Sequence, residues 1–197
     1  MIEAILAIAV FTDDRPLFER GVGMWRARVP AYFYVRSDGD RPVPAPGGQD
    51  NTPEKVAKRW YGQTELVDGL CQETCRDFGH TQYGLAAALN AAETARLQGV
   101  DLYGTERARI TAAMELHADH LLGKPVPGWL CKGQLKLGSV LPTWELGYSH
   151  YAGRAGQRLP ATRRLIEEHV RAHPTGVNHH MVWETLTHAE AGWAGAR

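Results

Sequence analysis

Apolar residues recur at helical spacing along this chain, and no stretch alternates convincingly between apolar and polar residues as a half-buried strand does. The helical period is clearest in residues 17–32 and 110–121. The sequence therefore predicts an all-α protein of antiparallel helix pairs. With 197 residues, of which 44% are hydrophobic and 22% charged, the chain can form one domain with a sizeable core.

Two long loops separate the predicted helices. Helices are expected over about residues 1–11, 16–32, 54–60, 81–98, 105–121, 143–156 and 160–173, with a last one from about 181. Residues 37–53 form the first loop, which is rich in Gly, Pro, Asp and Asn, and loops of this length are often lids or binding loops. Residues 123–142 form the second long loop, which is rich in Gly and Pro. Thr105 is expected to cap the helix that follows it. The first helix is apolar on every side and lacks a cap, which predicts that further helices normally precede it.

Residues 72–84 concentrate ionisable side chains on one predicted face. If this segment is helical, five of them share a stripe, because residues three, four and seven apart face the same way. They are Glu73, Arg76, Asp77, His80 and Tyr83. Gly79 within the stripe suggests a break or a close approach by a ligand. Two interpretations remain open: a functional cleft, or a buried Glu-Arg-Asp network that ties helices together.

A second polar and aromatic cluster follows in the predicted helix over 143–156. Its members are Trp144, Tyr148, His150, Tyr151 and Arg154. Aromatic rings stack on pyranose faces and Arg binds a carboxylate through two parallel hydrogen bonds, so the cluster suits a uronate groove. Helix packing with partly buried tyrosines is an equally good interpretation.

The cysteine and histidine positions do not favour a disulfide framework or a metal site. The three cysteines are Cys71, Cys75 and Cys131, and core packing is the preferred interpretation, ahead of a zinc site that would include His80. A face formed by His180, Glu184 and His188 lacks the order of residues found in zinc proteases. We therefore expect no metal and no other cofactor.

Charge and hydropathy exclude several kinds of partner. The chain has 22 Lys and Arg residues in total and 22 Asp and Glu residues in total, so its net charge gives no argument that it binds nucleic acid. The apolar N-terminal segment is far shorter than the roughly 20 residues that span a bilayer, and it has no signal-peptide pattern. One basic strip could face an anionic ligand, although a solvated helix face is the more ordinary explanation. It comprises Arg154, Arg158, Arg163, Arg164 and Arg171.

Several segments carry a likeness to a known family. Residues 72–80 read Gln-Glu-Thr-Cys-Arg-Asp-Phe-Gly-His and precede Tyr83, and residues 92–95 and 98–103 read Ala-Glu-Thr-Ala and Gln-Gly-Val-Asp-Leu-Tyr. Residues 127–131, 142–145 and 183–188 read Pro-Gly-Trp-Leu-Cys, Pro-Thr-Trp-Glu and Trp-Glu-Thr-Leu-Thr-His. Over nearly the whole chain, these segments resemble the alginate lyase family of polysaccharide lyases.

The resemblance implies an (α/α) toroid that binds an anionic polysaccharide and cleaves it by β-elimination at the uronate C5. By this likeness Arg76 neutralises the C5 carboxylate, His80 or Tyr83 takes the C5 proton, and Tyr83 protonates the departing oxygen. Glu73, Asp77 and the second cluster are then candidate substrate contacts. The likeness also implies a secreted or periplasmic protein.

The chain departs from this family in one respect. Its relatives carry an Asn and a His well upstream of the Arg, whereas this chain has no His before His80. Either His80 or Tyr83 is the base, or upstream helices are missing and the toroid is incomplete, which we favour. A catalytically silent remnant that binds anionic polysaccharide is the alternative function. A glycoside hydrolase using Glu73 and Asp77 is a weaker one, because carboxylates on one helix point the same way.

Overall fold

The computed structural model describes residues 1–48, 51–172 and 183–189, and all regular structure in these ranges is helical, so the all-α prediction is confirmed. The helices are α1 Ile2–Phe11, α2 Arg15–Tyr32, α3 Pro53–Arg59, α4 Phe78–Leu97, α5 Leu102–Thr105, α6 Arg107–Leu121, α7 Glu145–Tyr148, α8 Pro160–Leu165 and α9 Trp183–His188. The π-helical segments Ser149–Arg154 and Ile166–Val170 continue α7 and α8. Short 3₁₀ turns lie at Arg36–Asp38 and Leu130–Gly133.

Helix α4 is the centre of the fold and packs against α1, α2, α5, α6 and α7. Its buried face is rich in alanine, whose single methyl group lets neighbouring helices approach closely. Trp25 of α2 is fully buried against it and donates its indole N–H to the carbonyl of Ala88 at 3.0 Å. These contacts show a helical core around α4, and the toroidal arrangement of helix pairs stays a prediction.

Local signals placed several helix ends correctly and one wrongly. Gly99, with φ +81, follows the end of α4 in the left-handed conformation that favours glycine there, as predicted. Thr105 does not cap α6, which begins at Arg107 without a side-chain cap. Instead Asp101 caps the one-turn helix α5, and the Thr105 hydroxyl donates to the carbonyl of Asp101 at 2.9 Å. Thr105, which the sequence pattern alone assigned to the start of α6, belongs instead to the short helix α5.

The segment that precedes α4 is held between α2 and α6. The backbone N–H of Tyr34 donates to the carbonyl of Leu70 at 2.8 Å, just past the end of α2. Gly69 has φ +86, and a Cβ there would overlap the backbone of Ala112 on α6. Glycine at this position therefore allows the chain to cross α6 closely and to enter α4 from that side.

A disulfide joins Cys75 to Cys131, with their Cα atoms 5.1 Å apart. The prediction that all three cysteines only pack in the core is wrong for this pair and right for Cys71, which is buried and free. The second long loop folds back onto the start of α4, where the N–H of Phe78 donates to the carbonyl of Lys136 at 2.9 Å. That return brings together two cysteines far apart in sequence, which cysteine spacing cannot reveal.

Helix α1 buries only part of its apolar surface. Leu6 and Ala9 are buried, whereas Ile8 is 53% and Phe11 91% exposed. Apolar surface that is exposed in this way favours association with another apolar surface. Among the described residues, no helix has both the length and the apolar character that crossing a membrane requires.

Candidate active site

Helix α4 begins at the candidate site, after Asp77, so residues 73–83 are not one continuous helix and the condition for a single helical stripe is not met. Asp77 is the N-cap of α4, with extended backbone, and its Oδ1 accepts the backbone N–H of His80 at 2.8 Å. Gly79 lies inside the first turn and does not break it. An aspartate at the N-cap satisfies a free N–H of the first turn, so the helix starts after Asp77 and the preceding residues form turns.

Asp77 also orients the imidazole of His80. The Nδ1 atom of His80 lies 2.8 Å from each carboxylate oxygen of Asp77. An ionised carboxylate can only accept, so Nδ1 carries a proton, and in the neutral imidazole Nε2 is the nitrogen with the lone pair. Nε2 makes no hydrogen bond to any described residue, and the His80 side chain is 41% exposed. The nitrogen that Asp77 does not hold is therefore the one that can accept a proton.

The carboxylate of Asp77 is suited to accepting the hydrogen bond from His80 Nδ1. Burial raises the pKa of Asp77, but hydrogen bonds from the backbone and side chain of His80 outweigh that effect, and the charge of Arg76 adds to them. The pKa of Asp77 consequently lies below its ordinary value. Asp77 is ionised at neutral pH and remains an acceptor for the imidazole.

Tyr83 and Arg76 lie next to this pair. The rings of His80 and Tyr83 meet edge to face, with centroids 6.1 Å apart. Arg76 Nη1 lies 3.5 Å from Glu73 Oε2, and the Arg76 side chain is 46% exposed. A long, exposed ion pair of this kind contributes little stability, so the guanidinium can exchange it for a carboxylate of a ligand. The five residues of the predicted stripe are thus neighbours, although a turn and a helix start bring them together.

Two further tyrosines border the site and were not predicted. The Tyr61 hydroxyl lies 3.5 Å from Glu73 Oε2, and Tyr61 is 46% exposed. Tyr32, at the end of α2, donates to the carbonyl of His80 at 3.4 Å, and a Cβ at Gly84 would overlap its ring. A pocket of about 320 Å³ with mostly apolar walls begins beside Tyr32 and Gly84. The contact of Tyr32 with Gly84 had one sequence signal, a glycine within a helix, which leaves room for an aromatic ring from the end of α2.

Arg154 of the second predicted cluster lies near the other end of α4. Arg154 Nη1 is 3.4 Å from Glu93 Oε2, and Glu93 follows His80 by about 20 Å along the helix axis at about 1.5 Å per residue. Tyr148 is half-buried. Arg154 is therefore paired within the protein and lies away from the site around His80.

Two members of that cluster belong to the core. Trp144 and Tyr151 are fully buried. The Trp144 indole N–H donates to Gln82 Oε1 at 3.1 Å, and the Tyr151 hydroxyl donates to the carbonyl of Tyr103 at 3.2 Å. His150 stacks on the Tyr103 ring with a centroid distance of 3.8 Å. A saccharide cannot reach the two buried rings in this structure, so the helix-packing interpretation describes them.

Most of the basic strip is also paired. Arg163 and Arg164 each bind a glutamate one turn later, at 2.8 and 2.7 Å. Arg171 binds the buried Glu145 through two nitrogens, at 2.6 and 2.9 Å. These pairs neutralise the charge that the sequence alone presents as a cationic strip.

No group of three or more potential metal ligands occurs among residues 1–48, 51–172 and 183–189. Of the three residues considered as a metal-binding face, His180 lies outside the described residues. The other two have different partners: Glu184 accepts the backbone N–H of Leu146 at 3.3 Å, and His188 Nε2 is 3.8 Å from Glu93 Oε1.

No family model, curated protein or solved structure matches this chain. The likeness to alginate lyases therefore depends on the sequence segments quoted above. The structure defines an all-helical protein with a half-buried Asp-His pair beside a tyrosine and an arginine.

Proposed function

We propose that this protein is a polysaccharide lyase that cleaves alginate or a related polyuronate by β-elimination. One observation carries the proposal: Asp77 holds Nδ1 of His80, and the partly exposed imidazole lies beside Tyr83 with its Nε2 left for a substrate. An oriented imidazole next to a phenol is a base and acid pair suited to an elimination. The sequence likeness supplies the substrate class.

The roles follow from the positions of the groups. Arg76 binds the C5 carboxylate of the uronate and lowers the cost of negative charge there. His80 Nε2 removes the C5 proton, and the electrons of that C–H bond move into an enolate. The enolate collapses to a double bond between C4 and C5 and breaks the bond from C4 to the glycosidic oxygen. Tyr83 gives its hydroxyl proton to that oxygen as it departs.

His80 fits the role of base better than Tyr83 does. Its imidazole has a carboxylate behind it, which stabilises the imidazolium that forms when the C5 proton is taken. A tyrosine hydroxyl ordinarily carries its proton at neutral pH, which suits Tyr83 to donation. C5 and the departing oxygen are only two bonds apart, so base and acid must lie close together, as these two rings do.

The proposal includes a location outside the cytoplasm, in the periplasm or secreted. The disulfide between Cys75 and Cys131 supports it, because disulfides persist in oxidising compartments and are rare in the cytosol. The all-helical core around α4 is compatible with the proposed toroid of helix pairs.

Ultraviolet absorbance of the unsaturated product tests the proposal directly. The protein is incubated with alginate and with other polyuronates, and His80→Gln is run beside the wild type. We expect absorbance to rise with at least one polyuronate and the variant to be strongly impaired. Reducing ends without the chromophore would instead indicate a glycoside hydrolase. Retardation in an alginate gel without any cleavage would indicate a binding protein, and either result would overturn the lyase proposal.

A further inference from the structure

Tyr61 occupies a backbone position at which glycine is usual. Helix α3 ends in a Schellman motif, in which the N–H of Gly62 bonds to the carbonyl of Ala57 at 2.9 Å and that of Tyr61 to the carbonyl of Lys58 at 3.1 Å. The residue after the cap in this motif is left-handed, and Tyr61 has φ +56. A side chain is strained there, so glycine would fit the turn better.

Gln63, two residues after Tyr61, fixes this turn against the second long loop. The amide nitrogen of Gln63 donates to the carbonyl of Trp129 at 2.9 Å, and its amide oxygen accepts the N–H of Cys131 at 2.9 Å. The disulfide then joins Cys131 to Cys75, which is the neighbour of Arg76 in sequence. The position of Tyr61 relative to Arg76 is thus set by a short chain of bonded contacts.

The side chain that this turn presents is exposed and borders the candidate site. Tyr61 is 46% exposed, and its hydroxyl lies 3.5 Å from the same oxygen of Glu73 that contacts Arg76. Because the ring is largely exposed, its packing contributes little to the stability of the fold. Packing therefore does not explain why a tyrosine occupies this strained position. Strained backbone is found most often where a side chain has to be held for function.

We infer that Tyr61 is a substrate-positioning residue, whose ring stacks on a sugar ring of the polyuronate while Arg76 binds a carboxylate of the same chain. A phenol ring offers a flat apolar face to the C–H groups of a pyranose at a small cost in side-chain freedom. This inference rests on the proposed lyase function and adds a residue that the acid and base chemistry does not use.

Two variants and one control test it. Tyr61→Gly removes the ring at a position that glycine prefers, so the fold is retained, and Tyr61→Phe keeps the ring but removes the hydroxyl. Asp13→Gly is the matched control, because Asp13 is also left-handed, with φ +52, and lies in the exposed connection between α1 and α2. For Tyr61→Gly we expect KM to rise roughly tenfold with kcat little changed, as loss of one ring contact predicts. Tyr61→Phe and Asp13→Gly should keep the wild-type KM.

Each outcome separates the inference from the proposed function. If the wild type cleaves polyuronate and Tyr61→Gly keeps its KM, the lyase proposal stands and this inference is wrong. If Tyr61→Phe loses as much as Tyr61→Gly, the hydroxyl matters and stacking is wrong. A wild type that is retarded in an alginate gel without cleaving still supports the inference, provided that Tyr61→Gly is not retarded. A wild type that shows neither effect overturns both.

Discussion

His117 Nε2 lies 2.9 Å from the hydroxyl oxygen of Thr74, which joins α6 to the turns that precede α4. The Nδ1 atom of the same ring lies 2.7 Å from the carbonyl of Ala113, so Nδ1 donates and Nε2 accepts the Thr74 hydroxyl proton. The Thr74 oxygen in turn accepts the N–H of Cys71 at 2.9 Å. A neutral, buried histidine therefore supports the turns that lead into the candidate site.

This arrangement predicts a loss of stability in acid. Burial lowers the pKa of His117 from 6.5 to about 4. As pH falls, this histidine takes up a proton at a higher pH in the unfolded chain than in the folded one. The free energy of unfolding therefore falls by about 3 kcal/mol between pH of about 6.5 and about 4. Below that range the contribution of His117 no longer changes with pH. Urea unfolding across this range measures it, with His117→Gln as control. An equal pH dependence in both proteins would contradict the assignment.

Glu184 predicts an effect at higher pH. Burial raises the pKa of Glu184 from 4.5 to about 7, and nearby Glu145 adds to this although the N–H of Leu146 opposes it. Because the folded pKa is the higher one, the free energy of unfolding falls as pH rises from about 4.5 to about 7. Glu184→Gln should therefore be more stable than the wild type at pH values near 8, by about 1 to 3 kcal/mol, and should lose that advantage near 5. Equal stability at both pH values would argue against it.

Tyr83→Phe should nearly abolish turnover and leave the fold intact. Loss of an acid–base group typically lowers the rate roughly 10²–10⁴-fold. Tyr34→Phe is the matched control, since its hydroxyl donates to the carbonyl of Gly39 at 2.7 Å away from the candidate site. That variant should lose about 1 kcal/mol of stability and keep its rate. A Tyr83→Phe enzyme with a near-normal rate would remove the acid assignment.

Asp77→Asn separates capping from catalysis. Asparagine is as good an N-cap as aspartate, so the free energy of unfolding should change by less than about 1 kcal/mol. Its amide no longer requires Nδ1 of His80 to be the protonated nitrogen, so turnover should fall roughly 10²-fold or more. Denaturation and initial rates on the same preparation measure both quantities. Normal turnover would show that the carboxylate serves the helix alone.

Cys131→Ser should lower the free energy of unfolding by about 2 to 5 kcal/mol, because the disulfide joins residues 56 positions apart and restricts the unfolded chain. A reductant should destabilise the wild type and leave Cys131→Ser unchanged. Thiol titration of the denatured, unreduced wild type should find one thiol, that of Cys71. Three thiols would mean that the disulfide is not formed.

Part of the candidate site could be predicted from local sequence. Glu73, Arg76, Asp77, His80 and Tyr83 stand out because few solvent-facing or core segments combine these residue types. Their proximity was expected from a helical face and arises instead from a capped helix start, since Asp77 satisfies an N–H better than it continues a helix. Tyr61 could not be found in this way, because its approach to Glu73 depends on where a separate helix ends.

The sequence by itself determined the helical class and several helix ends. The apolar period, the helix start near Pro16, and Gly99 are properties of a few adjacent residues, and local geometry decides them. Only the tertiary structure decided that Cys75 meets Cys131, that Trp144 and Tyr151 lie in the core, and that Arg154 pairs with Glu93, far along α4 from His80. These outcomes depend on how helices and loops pack across long sequence separations, and no local pattern records such contacts.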